Sequence, residues 1–149
     1  MITPRLACGM VAAGLLATAA GCAPAAERAP AASSRSTPPS ETLSPLVQTA
    51  LPNVAGKTFT SAIVTFPPGA RAVPHRHGAA FVYAYVLDGT VASRLDDAPG
   101  RTYRQGEDWV EQPGAHHVLT ENTSRTEPAK LLVVFISDTG DKLKVDDPR

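Results

Sequence analysis

His75 and His77 stand one residue apart in "VPHRHGAAFVYAYVLDG", at the mouth of an apolar run. On an extended chain, residues two apart share a face, so both imidazoles can point the same way. His117, in "GEDWVEQPGAHHVLTEN", is a third nitrogen donor that a neighbouring antiparallel strand can bring alongside. Three imidazoles complete one side of a coordination sphere and leave the other positions to water or a ligand. The bland alternative is that His75 and His77 are two polar residues on a strand end. A site of this spacing usually adds a carboxylate soon after the second histidine, yet no acidic residue follows His77 until Asp88. Glu111 is the candidate fourth ligand, reaching in from the segment before His117, although an acid beside a Pro-Gly turn is more often solvated. His116 should face away from His117 on an extended strand.

Short strands have to hold these residues. "FTSAIVTF", "FVYAYVLDG", "TVASRLD", "RTYRQG", "DWVEQ", "HHVLTEN" and "AKLLVVFIS" are rich in β-branched and aromatic residues and are separated by Pro-Pro-Gly, Asp-Gly and Pro-Gly breaks. No run keeps a helical period, so the expected class is all-β, a sandwich or barrel. Residues 43–57 read as an edge strand and loop on the outside. Phe81, Tyr83 and Tyr85 alternate with Val82, Ala84 and Val86. The aromatic set suits a second layer or the contact of a homodimer. The small inward set leaves room for an apolar cavity, fitting a compact hydrophobic or carbonyl compound, and Trp109 is expected in the core.

The 149-residue chain has room for one domain with a real core. Residues 1–21 carry one charge, Arg5, then an apolar run and small residues, the layout of a secretory signal peptide. "AAGC" ends at Cys22 and resembles a bacterial lipoprotein signal, in which that cysteine becomes the lipidated first residue; plain secretion is the alternative. Residues 22–44 are Ala, Pro, Ser and Arg with few large apolar side chains, the composition of a disordered linker, and the domain is expected over 45–149. Both cysteines, Cys8 and Cys22, fall before it, so it has neither a disulfide nor a thiolate. Past residue 21 there are 13 basic and 14 acidic residues, which gives nothing for nucleic acid to bind and leaves a membrane reachable only through an N-terminal lipid.

The two histidine segments together resemble the paired motifs of the cupin superfamily. Gly69, His75, His77 and Gly89 keep the spacing of the first motif; Gly106, Gly114, His117 and Asn122 follow the second, and Thr90–Gln105 separates them. Gln112 stands at the expected proline with Pro113 one place late, and Asn122 is one place beyond the usual asparagine. The motif glutamate falls on Val82, or Phe81 in the alternative register, so that ligand is missing. The resemblance implies a double-stranded β-helix, or jelly-roll, barrel.

It also implies a mononuclear metal site of His75, His77 and His117 holding one divalent transition metal, Fe, Mn, Ni or Zn. Some cupin dioxygenases work with three histidines, so the expectation is a metal-dependent, dioxygenase-like enzyme of the cell envelope acting on a small organic substrate. A non-catalytic cupin that captures a small ligand or metal complex is the second reading. The domain's candidates for a general acid or base are Glu111, Glu107, Tyr103 and His116, none within a motif. A scaffold that has lost its metal is a third reading, weakened by the retention of all three histidines.

Overall fold

The computed structural model describes residues 39–148. The expected signal peptide, Cys22 and most of the linker lie outside the described residues. Ten strands follow: β1 (Thr42–Ala50), β2 (Lys57–Phe66), β3 (His75–Arg76), β4 (Phe81–Asp88), β5 (Thr90–Leu95), β6 (Arg101–Arg104), β7 (Asp108–Glu111), β8 (His116–Asn122), β9 (Ala129–Asp138) and β10 (Val145–Asp146). Among the described residues there is no helix long and apolar enough to cross a membrane. The seven runs read as strands fall on β2 and on β4 to β9, the edge strand expected within residues 43–57 is β1, and no run in the sequence marks β10. One boundary is corrected: Thr42 to Ser44, given to the linker by composition, are strand, because they pair with Ile63 to Thr65.

The strands form two five-stranded antiparallel sheets, ordered β1-β2-β9-β4-β7 and β10-β3-β8-β5-β6. Alternation fixes which side chains meet between them. In β4, Val82, Ala84 and Val86 are buried while Phe81, Tyr83 and Tyr85 are not; in β9, Leu131, Val133 and Phe135 are the buried set. Phe66 and Phe135 are fully enclosed. Burying a side chain of that size contributes about 1.5–3 kcal/mol.

Two turns show why the motifs carry glycine. Gly89 joins β4 to β5 at a φ of 76°, and a Cβ there would lie 2.8 Å from the Pro128 carbonyl oxygen. An L side chain meets both a strained backbone and a clash. Gly114, at a φ of 83°, donates its N–H to Gly78 O at 2.8 Å and ties the turn before β8 to the turn after His77. Asn122 is structural: its amide donates to the carbonyls of Phe66, Pro67 and Glu127, and its oxygen accepts from Ser124 N–H.

Candidate metal centre

β3 is only two residues long, but it sits between β10 and β8 and pairs His75 with His117. His77 follows directly, its ring edge-on to His75 at 4.8 Å and to Phe135 at 5.3 Å. The three histidines each offer a ring nitrogen, and these lie within 4.8 Å of one another. Glu111 comes from the opposite sheet. It ends β7, directly across from Val82 on β4, and is only 3 % exposed. Opposed residues of an antiparallel pair share a face. A carboxylate absent at Val82 is thus present one strand over, on the same side of the sheet.

His117 and Thr120 are three residues apart, yet both point inward. Arg94 pairs with Leu119 and Leu95 with His117, so Val118 is an extra residue in β8. Such a bulge shifts the alternation by one position. His117 Nε2 lies 2.8 Å from Ser93 Oγ and 2.7 Å from Thr120 Oγ1. Its Nδ1 faces Glu111 Oε1 at 3.1 Å, and Trp109 Nε1–H donates to that same oxygen at 3.1 Å. Hydroxyls donate or accept, so Ser93 and Thr120 can serve either tautomer of His117.

The other two rings are fixed by main-chain carbonyls. His75 Nδ1–H donates to Val73 O at 2.7 Å, and His77 Nδ1–H donates to Leu143 O. Each neutral ring is left with a bare Nε2. Burial pulls the His75 pKa down to about 4, with His77 and His117 adding repulsion against the Val73 hydrogen bond. Burial also lowers His77, partly offset by Glu111. For Glu111, burial pushes upward but is outweighed by the His117 hydrogen bond and the nearby imidazoles, which hold the group below the ordinary carboxylate value. The neutral His77 ring thus faces an ionised carboxylate.

That combination leaves lone pairs opposed. Glu111 Oε2 is buried without a hydrogen-bond partner, 3.6 Å from His77 Nε2. An unsatisfied buried carboxylate oxygen is costly. Two donors bound at about 2.1 Å to one ion stand about 3.0–3.4 Å apart for angles between 90° and tetrahedral. The Glu111–His77 separation therefore suits a cation shared by those two groups, while the cluster within 4.8 Å is formed by His75, His77 and His117.

A cavity of about 70 Å³ adjoins this cluster. Val64, Phe66, Leu131 and Val133 supply apolar wall, and Ala84 lines it as its small size predicts. Lys144 and Glu41 also line it; Lys144 Nζ lies 2.5 Å from Glu41 Oε1 and 2.9 Å from Asp146 Oδ1. Burial opposes the charge on Lys144, but bonds to the two carboxylates raise its pKa above the usual value.

Of the candidates read from sequence, the structure gathers His75, His77, His117 and Glu111. His116 turns outward as expected, with Nε2 2.7 Å from Asp147 Oδ2. Glu107 is at the surface, bonded to Arg101 and to the Arg104 N–H, and Tyr103 stacks on Trp109 at 4.7 Å; neither lines the cavity. Trp109 is core, as expected, and also borders the cavity. Sequence reasoning missed Ser93, Thr120, Glu41 and Lys144. Only the bulge could have signalled Thr120, and nothing local signals the Glu41–Lys144 pair, formed by residues 103 apart.

Comparison with known proteins agrees with this architecture. The sequence profile of the Cupin domain matches residues 62–135, and the chain belongs to the cupin superfamily. No curated protein sequence matches it. Among solved structures it is similar to the cupin domain of Schizosaccharomyces pombe Cnp3, with 17% identity, 66% of this chain and 62% of that one covered, and a TM-score of 0.55. An oxalate oxidase superposes with 26% identity over 67% of this chain and 52% of that one, at a TM-score of 0.53. DMSP lyase DddQ from Ruegeria pomeroyi DSS-3 shares 20% identity over 71% of this chain and 51% of that one, at a TM-score of 0.58. The chain thus spans about half the length of the latter two.

Proposed function

We propose that this cupin binds one divalent transition metal through His75, His77, His117 and Glu111 and acts on a small organic molecule in the adjoining cavity. The observation that carries the reading is the cluster of His75, His77 and His117 nitrogens within 4.8 Å of one another, with the buried, unpartnered Oε2 of Glu111 3.6 Å from His77 Nε2. Three nitrogens and one oxygen suit Fe, Mn, Ni or Zn. A bound ion supplies Lewis acidity and, where redox-active, electron transfer between two ligands. The chain's own residues do the rest. Val73 and Leu143 orient two imidazoles, Glu111 reduces a dication's charge by one, and the apolar walls keep bulk water from the ligand. The remaining positive charge favours an anionic or carbonyl oxygen on a compact apolar body. Dioxygenase-like chemistry is the catalytic form of this proposal, and similarity to an oxalate oxidase and a DMSP lyase supports enzymatic use of the site without fixing the substrate.

One observation favours the second reading, a binding protein without turnover: Glu107, Tyr103 and His116 are all engaged away from the cavity. The discriminating experiment purifies the chain without a polyhistidine tag, measures its metal, and reloads it separately with iron, manganese, nickel and zinc. Turnover of small carboxylates or carbonyl compounds with one metal supports the enzyme. Tight binding with no turnover supports the ligand-capturing form, and absence of metal binding rejects both.

We further propose export, with Cys22 as a lipidated mature N-terminus that leaves the domain on a linker at a membrane surface; the signal layout and the "AAGC" tetrad support it. Mass spectrometry of the N-terminus from fractionated cells tests this. Recovery of an intact Met1 chain from cytoplasm would reject it.

A further inference from the structure

Lys144 brings a charge into an otherwise apolar stretch of the cavity wall. Among the described residues it is the only lysine or arginine lining the space beside His75, His77 and His117, in company with Leu43, Phe66 and Phe135. Its chain neighbour Leu143 supplies the carbonyl that holds His77, so one segment both fixes a ring of the metal cluster and carries the ammonium into the cavity. Lys144 is near enough to His75 and His77 to disfavour a charge on either ring. A pair serving only to fasten the segment before β1 to the segment after β9 could sit at the surface, as Lys57 with Asp138 and Arg101 with Glu107 do. Glu41, only 11% exposed, and Lys144 instead face the cavity. Burying a charged pair carries a desolvation cost that mutual attraction often fails to recover.

We infer that Lys144 sets the chemical class of the ligand: it receives a carboxylate of a compact organic acid whose other oxygen group reaches the metal centre. The inference rests on the metal-centred reading of the same cavity. An ammonium has three N–H donors. Glu41 Oε1 and Asp146 Oδ1 take two of them, at 2.5 and 2.9 Å, and the third is left to a ligand. The same two carboxylates keep Lys144 charged. A cationic ligand has no equivalent place at Glu41, because Oε1 accepts from Lys144 and Oε2 from Ser40 Oγ–H at 2.7 Å. A phosphate dianion fits poorly, since one ammonium shared between two carboxylates cannot balance it and the cavity is only about 70 Å³. Apolar walls suit a short hydrocarbon body. The ligand class is therefore a small dicarboxylate, or an oxo or hydroxy acid. Glu41 competes with the incoming carboxylate for Lys144, so it holds the ammonium in place and also limits the affinity.

Calorimetric titration of the zinc-loaded full chain tests this. Malonate and succinate are compared with propionate and butyrate, which match them in carbon count and carry one carboxylate fewer. The dicarboxylates should bind at least about tenfold tighter, the effect of one hydrogen bond between charged groups. Lys144→Met keeps the aliphatic stem and should erase that preference while leaving the monocarboxylates unchanged. Glu41→Gln should instead strengthen dicarboxylate binding, because it frees the ammonium from a competitor; a pair that only fastens two segments would give no such opposite signs. The double variant Glu41→Gln with Lys144→Met leaves no unpaired carboxylate at the cavity, and it reports on the preference if Lys144→Met alone fails to fold. A preference that persists in either lysine variant, or that Glu41→Gln lowers, would overturn the inference. Zinc content is measured in every sample. A wild type that holds zinc but shows no preference overturns this inference alone, and one that takes up no zinc overturns the metal reading with it.

Discussion

Replacing Glu111 by glutamine separates a metal ligand from a structural acid. In the metal-free chain, Oε1 accepts from Trp109 Nε1–H and meets His117 Nδ1, both at 3.1 Å, while Oε2 is unpaired 3.6 Å from the bare Nε2 of His77. Glutamine keeps an acceptor for the first two contacts and turns an amide N–H2 toward His77. The loss of charge weakens two hydrogen bonds that an ionised acceptor makes about twice as strong. Against that, the variant removes an unsatisfied buried oxygen, worth about 1–3 kcal/mol. These effects nearly cancel, so metal-free stability should change by no more than about 1 kcal/mol, a Tm shift of at most about 4–8 °C. Metal affinity should fall more than the 10–100-fold expected for an outer hydrogen-bond partner, so at least about 100-fold, or about 3 kcal/mol. Titration against a competing chelator, with melting curves recorded in chelator, measures both quantities. Affinity unchanged within about threefold, alongside a metal-free loss of several kcal/mol, would refute the reasoning and make Glu111 a structural partner of Trp109 and His117.

Alanine at His75, His77 or His117 should reduce metal affinity steeply and by similar factors, whereas His116→Ala, which loses only its contact with Asp147, should change it little; metal titration of the four variants decides. Metal-free stability should fall on acidification, because His75 is held near a pKa of about 4 against an ordinary 6.5, so below pH 6.5 the unfolded chain takes up a proton that the folded chain refuses. The loss accumulates from pH 6.5 down to about 4 and approaches about 3 kcal/mol, readable from urea unfolding with chelator present. Val82→Glu alone should destabilise the metal-free domain, since it sets a second carboxylate directly across from Glu111, while the exchange Val82→Glu with Glu111→Val should restore both stability and metal binding.

The sequence announces the strands because their alternation and turn residues are local properties. β4 reads correctly from Val82, Ala84 and Val86 against Phe81, Tyr83 and Tyr85, and Gly89 marks its end. The metal cluster is partly legible for the same reason: His-x-His has the period of a strand, and His116 is excluded by it. The fate of the carboxylate is not legible from local spacing. Glu111 is placed by the pairing of β7 with β4, a register decided by the whole sheet, and its position before Pro113-Gly114 suggests a solvated turn. Thr120 is hidden by the extra residue Val118, since strict alternation from His117 points Leu119 inward instead. Leu143 and Lys144 reach the site only because the segment after β9 returns across it, bringing a carbonyl to His77 and an ammonium to Glu41.

X-ray absorption at the metal edge, on tag-free full chain reloaded with one metal, tests the central claim most directly. The account predicts a first shell of three imidazole nitrogens and one carboxylate oxygen at about 2.0–2.2 Å for zinc, losing a nitrogen in His77→Ala and the oxygen in Glu111→Gln. Stoichiometric metal with an unchanged shell in the His75→Ala, His77→Ala double variant would contradict it, placing the ligands elsewhere and leaving the paired histidines as polar residues at a strand end.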